Sequence, residues 1–189
     1  MSGVFPPHRK RYAIEGHARY LTFSCFGNQP FLSRERPCRW FLERLDSLHA
    51  QGGFQLWAYV IMPTHCHLLV VPRNPEWVGD FLYGLKKSVA NRAIAWVTRH
   101  HPDLLERMAD VQPSGKRCFR LWQPGGGYDR NIISVEEAHE KIHYIHANPV
   151  RSGLVEHPSQ WQWSSYRAWT TGQDIPIRID RDSLPPLPQ

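Results

Sequence analysis

The sequence predicts an α+β domain, one antiparallel sheet with helices packed on one face. Three observations carry this reading. Short apolar runs alternate with the β period, and longer ones recur at helical spacing. The two kinds of run follow one another in the order β-α-β-β-α-β-α. The chain has 189 residues, 41% of them apolar and 21% charged, enough to bury one real core.

Residues 1–18 form a basic arm entering the fold. Tyr20 to Phe26 is rich in β-formers and reads as a strand, closed by the turn residues Gly27, Asn28 and Pro30. Over residues 34–50, Trp40, Phe41, Leu45 and Leu48 recur at helical spacing, and Gly52-Gly53 stops them. Phe54 to Met62 is a second strand and His65 to Val71 a third. The short Pro63-Thr64 break between them implies an antiparallel hairpin. Pro72 and Pro75 end it. Residues 76–99 carry Trp77, Phe81, Leu85, Val89, Ala93 and Trp96 as one long amphipathic helix. Residues 102–115 read as loop or short helix.

Lys116 to Trp122 is predicted as the fourth strand, closed by Gly125-Gly126-Gly127. Ser134 with Glu137 three residues on is a capping box that opens the last long helix. That helix should stop at Asn148, because Pro149 disfavours helical geometry in the residue before it. After Trp169 the chain turns Pro-rich and reads as a loosely held tail. The expected organisation is one domain over residues 1–170 and a tail over 171–189. A β-α-β-β-α-β core is the ferredoxin-like arrangement, which leaves the other sheet face open for a ligand.

Composition narrows the function classes. The net charge of +6 suits a polyanionic partner, such as nucleic acid or an anionic membrane surface. Four cysteines, Cys25, Cys38, Cys66 and Cys118, are scattered without a CxxC pair, which argues against a zinc ribbon or a disulfide framework and for a reduced, cytoplasmic protein. The N-terminal stretch lacks the apolar segment of a signal peptide, and no apolar run approaches the ~20 residues of a membrane span.

Two distant motifs carry chemistry. His65 and His67 are i, i+2 on a strand, so they project to one side roughly 6–7 Å apart and can share a metal ion. Cys66, Leu68 and Val70 then face the helices. Neutral imidazoles suit Zn, Mn, Fe, Co and Ni, while Mg²⁺ prefers oxygen. Lys141, Tyr144 and Asn148 share one face of the last helix. A phenol of ordinary pKa about 10 is a poor nucleophile at neutral pH and needs a cation or base to activate it. Asn148 could add an amide oxygen to a metal, and Lys141 could neutralise a phosphate. Taken singly, each motif also fits a structural role: half-exposed strand histidines, a packed tyrosine, a helix-terminal cap. His143 and His146 read as surface or packing residues, and Trp161, Trp163 and Trp169 as packing residues that pin the C-terminal segment over the helices.

Together the motifs resemble a known family. Tyr59 to Val70 (YVIMPTHCHLLV), Leu121 to Arg130 (LWQPGGGYDR), Tyr144 to Val155 (YIHANPVRSGLV) and Trp163 to Tyr166 (WSSY) are similar to the IS200-like transposases, in the branch of REP-associated tyrosine transposases. The resemblance spans residues 12–170, with four motifs in order. It implies a ferredoxin-like HUH endonuclease: His65, His67 and Asn148 as ligands of one divalent ion, Mg²⁺ or Mn²⁺, and Tyr144 as the nucleophile. The product it implies is a 5′-phosphotyrosine link to single-stranded DNA with a free 3′-hydroxyl, reversible by strand transfer. The implied substrate is a short palindromic repeat folded as a hairpin, and the implied state a monomer or a homodimer. Two departures stand out. Cys66 replaces the usual bulky apolar residue between the histidines, and Gly127 stands where an aromatic residue is commoner.

Around this centre, Arg9, Lys10, Arg11, Lys86, Lys87, Lys116, Arg117 and Arg120 are candidate phosphate contacts, with Tyr12 or Trp122 as a stacking platform. Two other readings stay open: a non-catalytic single-stranded nucleic-acid binding module, and a phosphodiesterase in which metal-bound water attacks and Tyr144 is structural.

Overall fold

The structure, a computed structural model, describes residues 16–173 and 176–187. Four strands form one antiparallel sheet in the order β2-β3-β1-β6. They are β1 (Ala18–Ser24), β2 (Phe54–Ile61), β3 (His65–Pro72) and β6 (Tyr128–Ile132). Helix α1 (Glu35–His49) links β1 to β2, and α2 (Val78–His100) follows β3. A two-stranded hairpin, β4 (Ala109–Val111) with β5 (Arg117–Phe119), stands apart from this sheet. Helix α3 (Val135–Arg151) follows β6, and the short α4 (Tyr166–Thr171) comes last. The α+β class and the antiparallel sheet are as expected from sequence, and the strand order is the ferredoxin-like one.

Strand alternation sorts the core into two layers. Leu21 and Phe23 of β1, with Cys66, Leu68 and Val70 of β3, face α1 and α2. Those helices meet them with Phe41, Leu42 and Leu45, and with Phe81, Leu85 and Val89, at three- and four-residue spacing. Tyr20, Leu69 and Val60 point the other way. A register shift between Leu56 and Ala58 lets Trp57 and Ala58 both join this second layer.

The structure differs from the sequence reading at four places. The second face of the sheet, expected to be bare, carries α3, whose Ala138, Ile142 and Ile145 cover its β2 side. The alternation of β2 is apolar on both faces, and that apolar second face requires a partner. Next, Lys116 to Trp122 is not the fourth strand of the sheet. Its β5 portion pairs with β4, and the sheet's edge is Tyr128–Ile132. That edge reads as polar (YDRNI) because its charge is satisfied inside the fold. Asp129 takes both Nε and Nη2 of Arg19 at 2.8 and 2.7 Å, with both side chains 3% exposed.

Helix α3 runs past Asn148 to Arg151 with Pro149 inside it. Ile145, Asn148 and Pro149 are buried, and this packing, with Ser152 N–H donating to Asn148 O at 3.0 Å, holds the last turn despite the lost proline donor. Finally, the C-terminal segment expected to be loose is docked where described. Ile177 and Ile179 enter the first core layer. Asp180 accepts from Leu56 N–H (2.8 Å) and sits 2.6 Å from His49 Nε2. Trp161 and Trp169 donate their indole N–H groups to Ile61 O and Trp57 O, so they pin this segment to β2 and not over the helices.

His146, 6% exposed, ties α3 to this segment. Its Nε2 lies 2.9 Å from Ser165 Oγ, which in turn accepts from Tyr59 N–H at 2.9 Å. Burial pushes the His146 imidazole down to about 3. The proton that the folded chain refuses is taken up by the unfolded chain below its ordinary pKa of 6.5, so this group's contribution is complete above pH 6.5 and drains away as pH falls toward 3.

Two predictions follow from the packing. Asp129→Ala should cost about 3–5 kcal/mol in chemical denaturation, because it leaves the buried guanidinium without this carboxylate; a loss below ~1 kcal/mol would contradict the account. Lowering the pH from 7 to 5 should reduce the denaturation midpoint, and His146→Gln should reduce that slope. Equal slopes in the two proteins would show that His146 is not buried neutral.

Candidate functional site

Antiparallel pairing of β1 with β3 sets Thr22 opposite His67 and Ser24 opposite His65. The alternation of β1 brings Tyr20 and Thr22 to the same face as both histidines. The hairpin turn before His65 places the pair at the start of β3. The two imidazole centroids are 4.8 Å apart.

His67 is 5% exposed and held at both ring nitrogens. Tyr20 Oη and Thr22 Oγ1 each lie 2.8 Å from Nδ1. Asn148 Nδ2 donates to Nε2 at 3.2 Å. The ring stacks on Tyr20, with centroids 5.6 Å apart at 12°. Burial, then the neighbouring His65, pushes the His67 imidazole down to about 3, and burial also lowers His65. Both rings are therefore neutral at ordinary pH. His65 is half-buried, with its Nδ1 3.0 Å from Thr64 Oγ1.

Helix α3 delivers the second half of the site. Its N-terminus is fixed by Ser134, whose Oγ accepts from Glu137 N–H at 3.1 Å, while Glu137 accepts from Ile133 N–H. Tyr144 and Asn148, one turn apart, both reach the His67 ring. Tyr144 meets it edge-on with centroids 5.8 Å apart, and meets Tyr20 at 6.3 Å. Tyr144 is half-buried, so its phenol borders both the site and solvent. Two cations lie over its ring: Lys141 Nζ at 5.6 Å from the centroid and Arg151 Cζ at 4.9 Å. Burial pushes the Tyr20 phenol up to about 12, with Thr22 pulling it down and Tyr144 and Tyr128 adding to the rise, so its hydroxyl keeps its proton.

The structure thus brings His65, His67, Tyr144 and Asn148 to one place, although 81 residues separate His67 from Asn148. Sequence reasoning missed Tyr20, Thr22, Thr64 and Arg151. Arg151 lies seven residues, two turns, after Tyr144, and that spacing was a usable signal. Tyr20 and Thr22 depend on the strand register, which sequence does not state.

The basic candidates fall elsewhere. Lys86, Lys87 and Arg120 line a separate groove along α2. Lys116 and Arg117 belong to the hairpin region, where Arg117 pairs with Glu106 and Arg120 with Asp110. Trp122 is 5% exposed and packs edge-on to Phe23, so it is core and not a stacking platform. Arg9, Lys10, Arg11 and Tyr12 lie outside the described residues.

The donor set can be tested against a divalent ion. Hydroxyls engage Nδ1 of both rings, which leaves Nε2 of each as the ligand nitrogen. Asn148 already faces Nε2 of His67, and turning its amide over presents the oxygen there. Two neutral imidazoles and an amide oxygen fit Mn²⁺ or a similar first-row ion, and Mg²⁺ less closely. Among the described residues no group of three or more His, Cys, Asp or Glu side chains could hold a metal, so the amide is integral to this fit. Also among the described residues, no helix is long and apolar enough to cross a membrane.

No protein-family model matches the chain, and no curated protein matches it. Among solved structures, the chain is similar to a REP-associated tyrosine transposase bound to a REP hairpin, at 17% identity, with 93% of each chain covered and a TM-score of 0.66. A protein of Deinococcus radiodurans described as a transposase aligns at 21% identity over 74% of this chain and 96% of its own, with a TM-score of 0.44. On the first of these likenesses, the chain has the fold of a REP-associated tyrosine transposase.

Proposed function

We propose that this protein is a metal-dependent tyrosine nuclease and strand transferase acting on single-stranded DNA, and so a DNA transposase. The observation that carries the reading is the convergence of Tyr144 and Asn148 on the His65–His67 pair. The likeness to a transposase bound to a REP hairpin supports a hairpin-forming repeat as substrate.

His65, His67 and Asn148 would hold the divalent ion, which when bound would polarise the scissile phosphate. The chain's own groups account for the rest. Tyr20 and Thr22 fix the orientation of His67. Lys141 and Arg151, over the Tyr144 ring, put positive charge beside the phenol, where a scissile phosphate would approach. Tyr144 Oη attacks phosphorus, forming a Tyr–O–P bond as the P–O3′ bond breaks. The departing 3′-oxygen gains a proton and the phenol loses one, so the step is neutral overall. A 3′-hydroxyl attacking the phosphotyrosine reverses it and restores the phenol.

The test mixes protein, Mn²⁺ and a hairpin oligonucleotide and looks for a covalent adduct on a denaturing gel. Native protein should form it. Tyr144→Phe should abolish it, and chelation should reduce it to background. DNA binding that survives chelator with no cleavage under any metal would favour a binding module instead. Cleavage that survives Tyr144→Phe would point to attack by water. A second prediction isolates the anchor of His67. Tyr20→Phe should weaken Mn²⁺ binding about tenfold, read as the metal-induced rise in Tm, because a lost partner on the distal nitrogen costs about 10- to 100-fold in metal affinity. An unchanged response would remove Tyr20 from the site.

A further inference from the structure

A groove of about 600 Å³ runs between α2 and residues 119–126, separate from the histidine site. Its floor is apolar, formed by Leu82, Ala90, Ile94 and Trp122. Three cations, Lys86, Lys87 and Arg120, line it, and among the described residues no Asp or Glu does. On its rim stands Tyr83, 64% exposed, a large aromatic ring that the core does not use. Lys87 donates to Tyr83 Oη at 2.9 Å and lies 5.0 Å from its ring centroid, which fixes the ring beside a positive charge. Phe119 adds a second aromatic wall.

We infer that this groove is a second DNA subsite, which takes an unpaired stretch of the strand, with a base stacked on Tyr83 and its phosphates at Lys87 and Arg120. The inference rests on the function proposed above and extends it to where the unpaired DNA lies. Charge selects a polyanion. The apolar floor beside an exposed aromatic ring selects a ligand with flat apolar faces. A duplex keeps its bases stacked inside and would meet only the cations; an unpaired strand meets both features. Arg120 also faces Asp110 of β4, so Lys87 is the cation most available to phosphate.

Continuity with the histidine site supports the same occupant. The wall of the groove is the loop 123–127, whose next residue, Tyr128, starts β6 and stands edge-on to Tyr20, 6.1 Å between centroids. Lys86 fastens this loop by donating to Gly125 O at 2.7 Å. Gly127 has φ +77°, and a side chain there would run into the carbonyl oxygen of Thr22. The loop therefore lies tight against β1 between the two sites.

The experiment measures binding of the full chain by fluorescence anisotropy at fixed salt. The probes are one hairpin oligonucleotide, the same hairpin with an unpaired thymidine extension, and the same with an abasic extension of equal length. The thymidine extension should tighten native binding about tenfold, the size of one stacked base. The abasic extension should give a clearly smaller gain, and Tyr83→Ser should reduce the thymidine gain to the abasic level. Tyr83 is mostly exposed, so its replacement leaves the core intact. No gain in the native protein, or a full gain in Tyr83→Ser or with the abasic probe, would overturn the inference. Adduct formation on the unextended hairpin is scored separately: its absence counts against Tyr144 as nucleophile, and loss of the extension gain counts only for the groove.

Discussion

The contact between Asn148 and His67 is the constraint on which the site depends. It joins the last long helix to the central hairpin at 3.2 Å, and with it come Tyr144, Lys141 and Arg151. Nothing local to either segment creates it. It exists because Ala138, Ile142 and Ile145 seat α3 on the second face of the sheet, and because β2 offers Trp57, Ala58 and Val60 there. The capping box fixes where the helix starts, and the His146–Ser165 link ties its far end to the C-terminal segment. A helix slipped by one residue would turn Tyr144 and Asn148 by about 100° away from His67.

The same packing sets the electrostatics. Buried imidazoles resist protonation, so His65 and His67 stay neutral. A buried polar ring needs its hydrogen bonds satisfied, and Tyr20 and Thr22 meet that need at the nitrogen that faces the sheet. Positive charge is placed over Tyr144, through Lys141 and Arg151. Under the proposed chemistry this arrangement serves both partners: uncharged donors for a cation, and cations where a scissile phosphate would approach.

Much of this was legible in the sequence, and the exceptions have physical causes. The period-2 pattern around His65 and His67 gave their common face, and the helical spacing of Tyr144 and Asn148 gave theirs. Both readings are local. Strand register is not local, so Tyr20 and Thr22 were invisible as partners of His67. Strand β6 was missed because Asp129 and Arg130 make it read as polar, while its key charge is matched by Arg19 from β1. The end of α3 was missed because packing around Pro149 outweighs its local preference. Trp122 looked available for stacking, but its indole fills the core and donates to Lys86 O. Tyr83 went unremarked because an exposed aromatic on a helix has no sequence signature.

The central claim is that Tyr144, and not another phenol nearby, becomes bonded to DNA. Tyr20 and Tyr128 belong to the same aromatic cluster, so the position of the link is informative. The most direct measurement is tryptic digestion of the protein–DNA adduct followed by mass spectrometry of the linked peptide. The account predicts a phosphonucleotide mass on the peptide of residues 142–151, fragmenting to place it at Tyr144. The link on a peptide carrying Tyr20 or Tyr128, or on none, would contradict it.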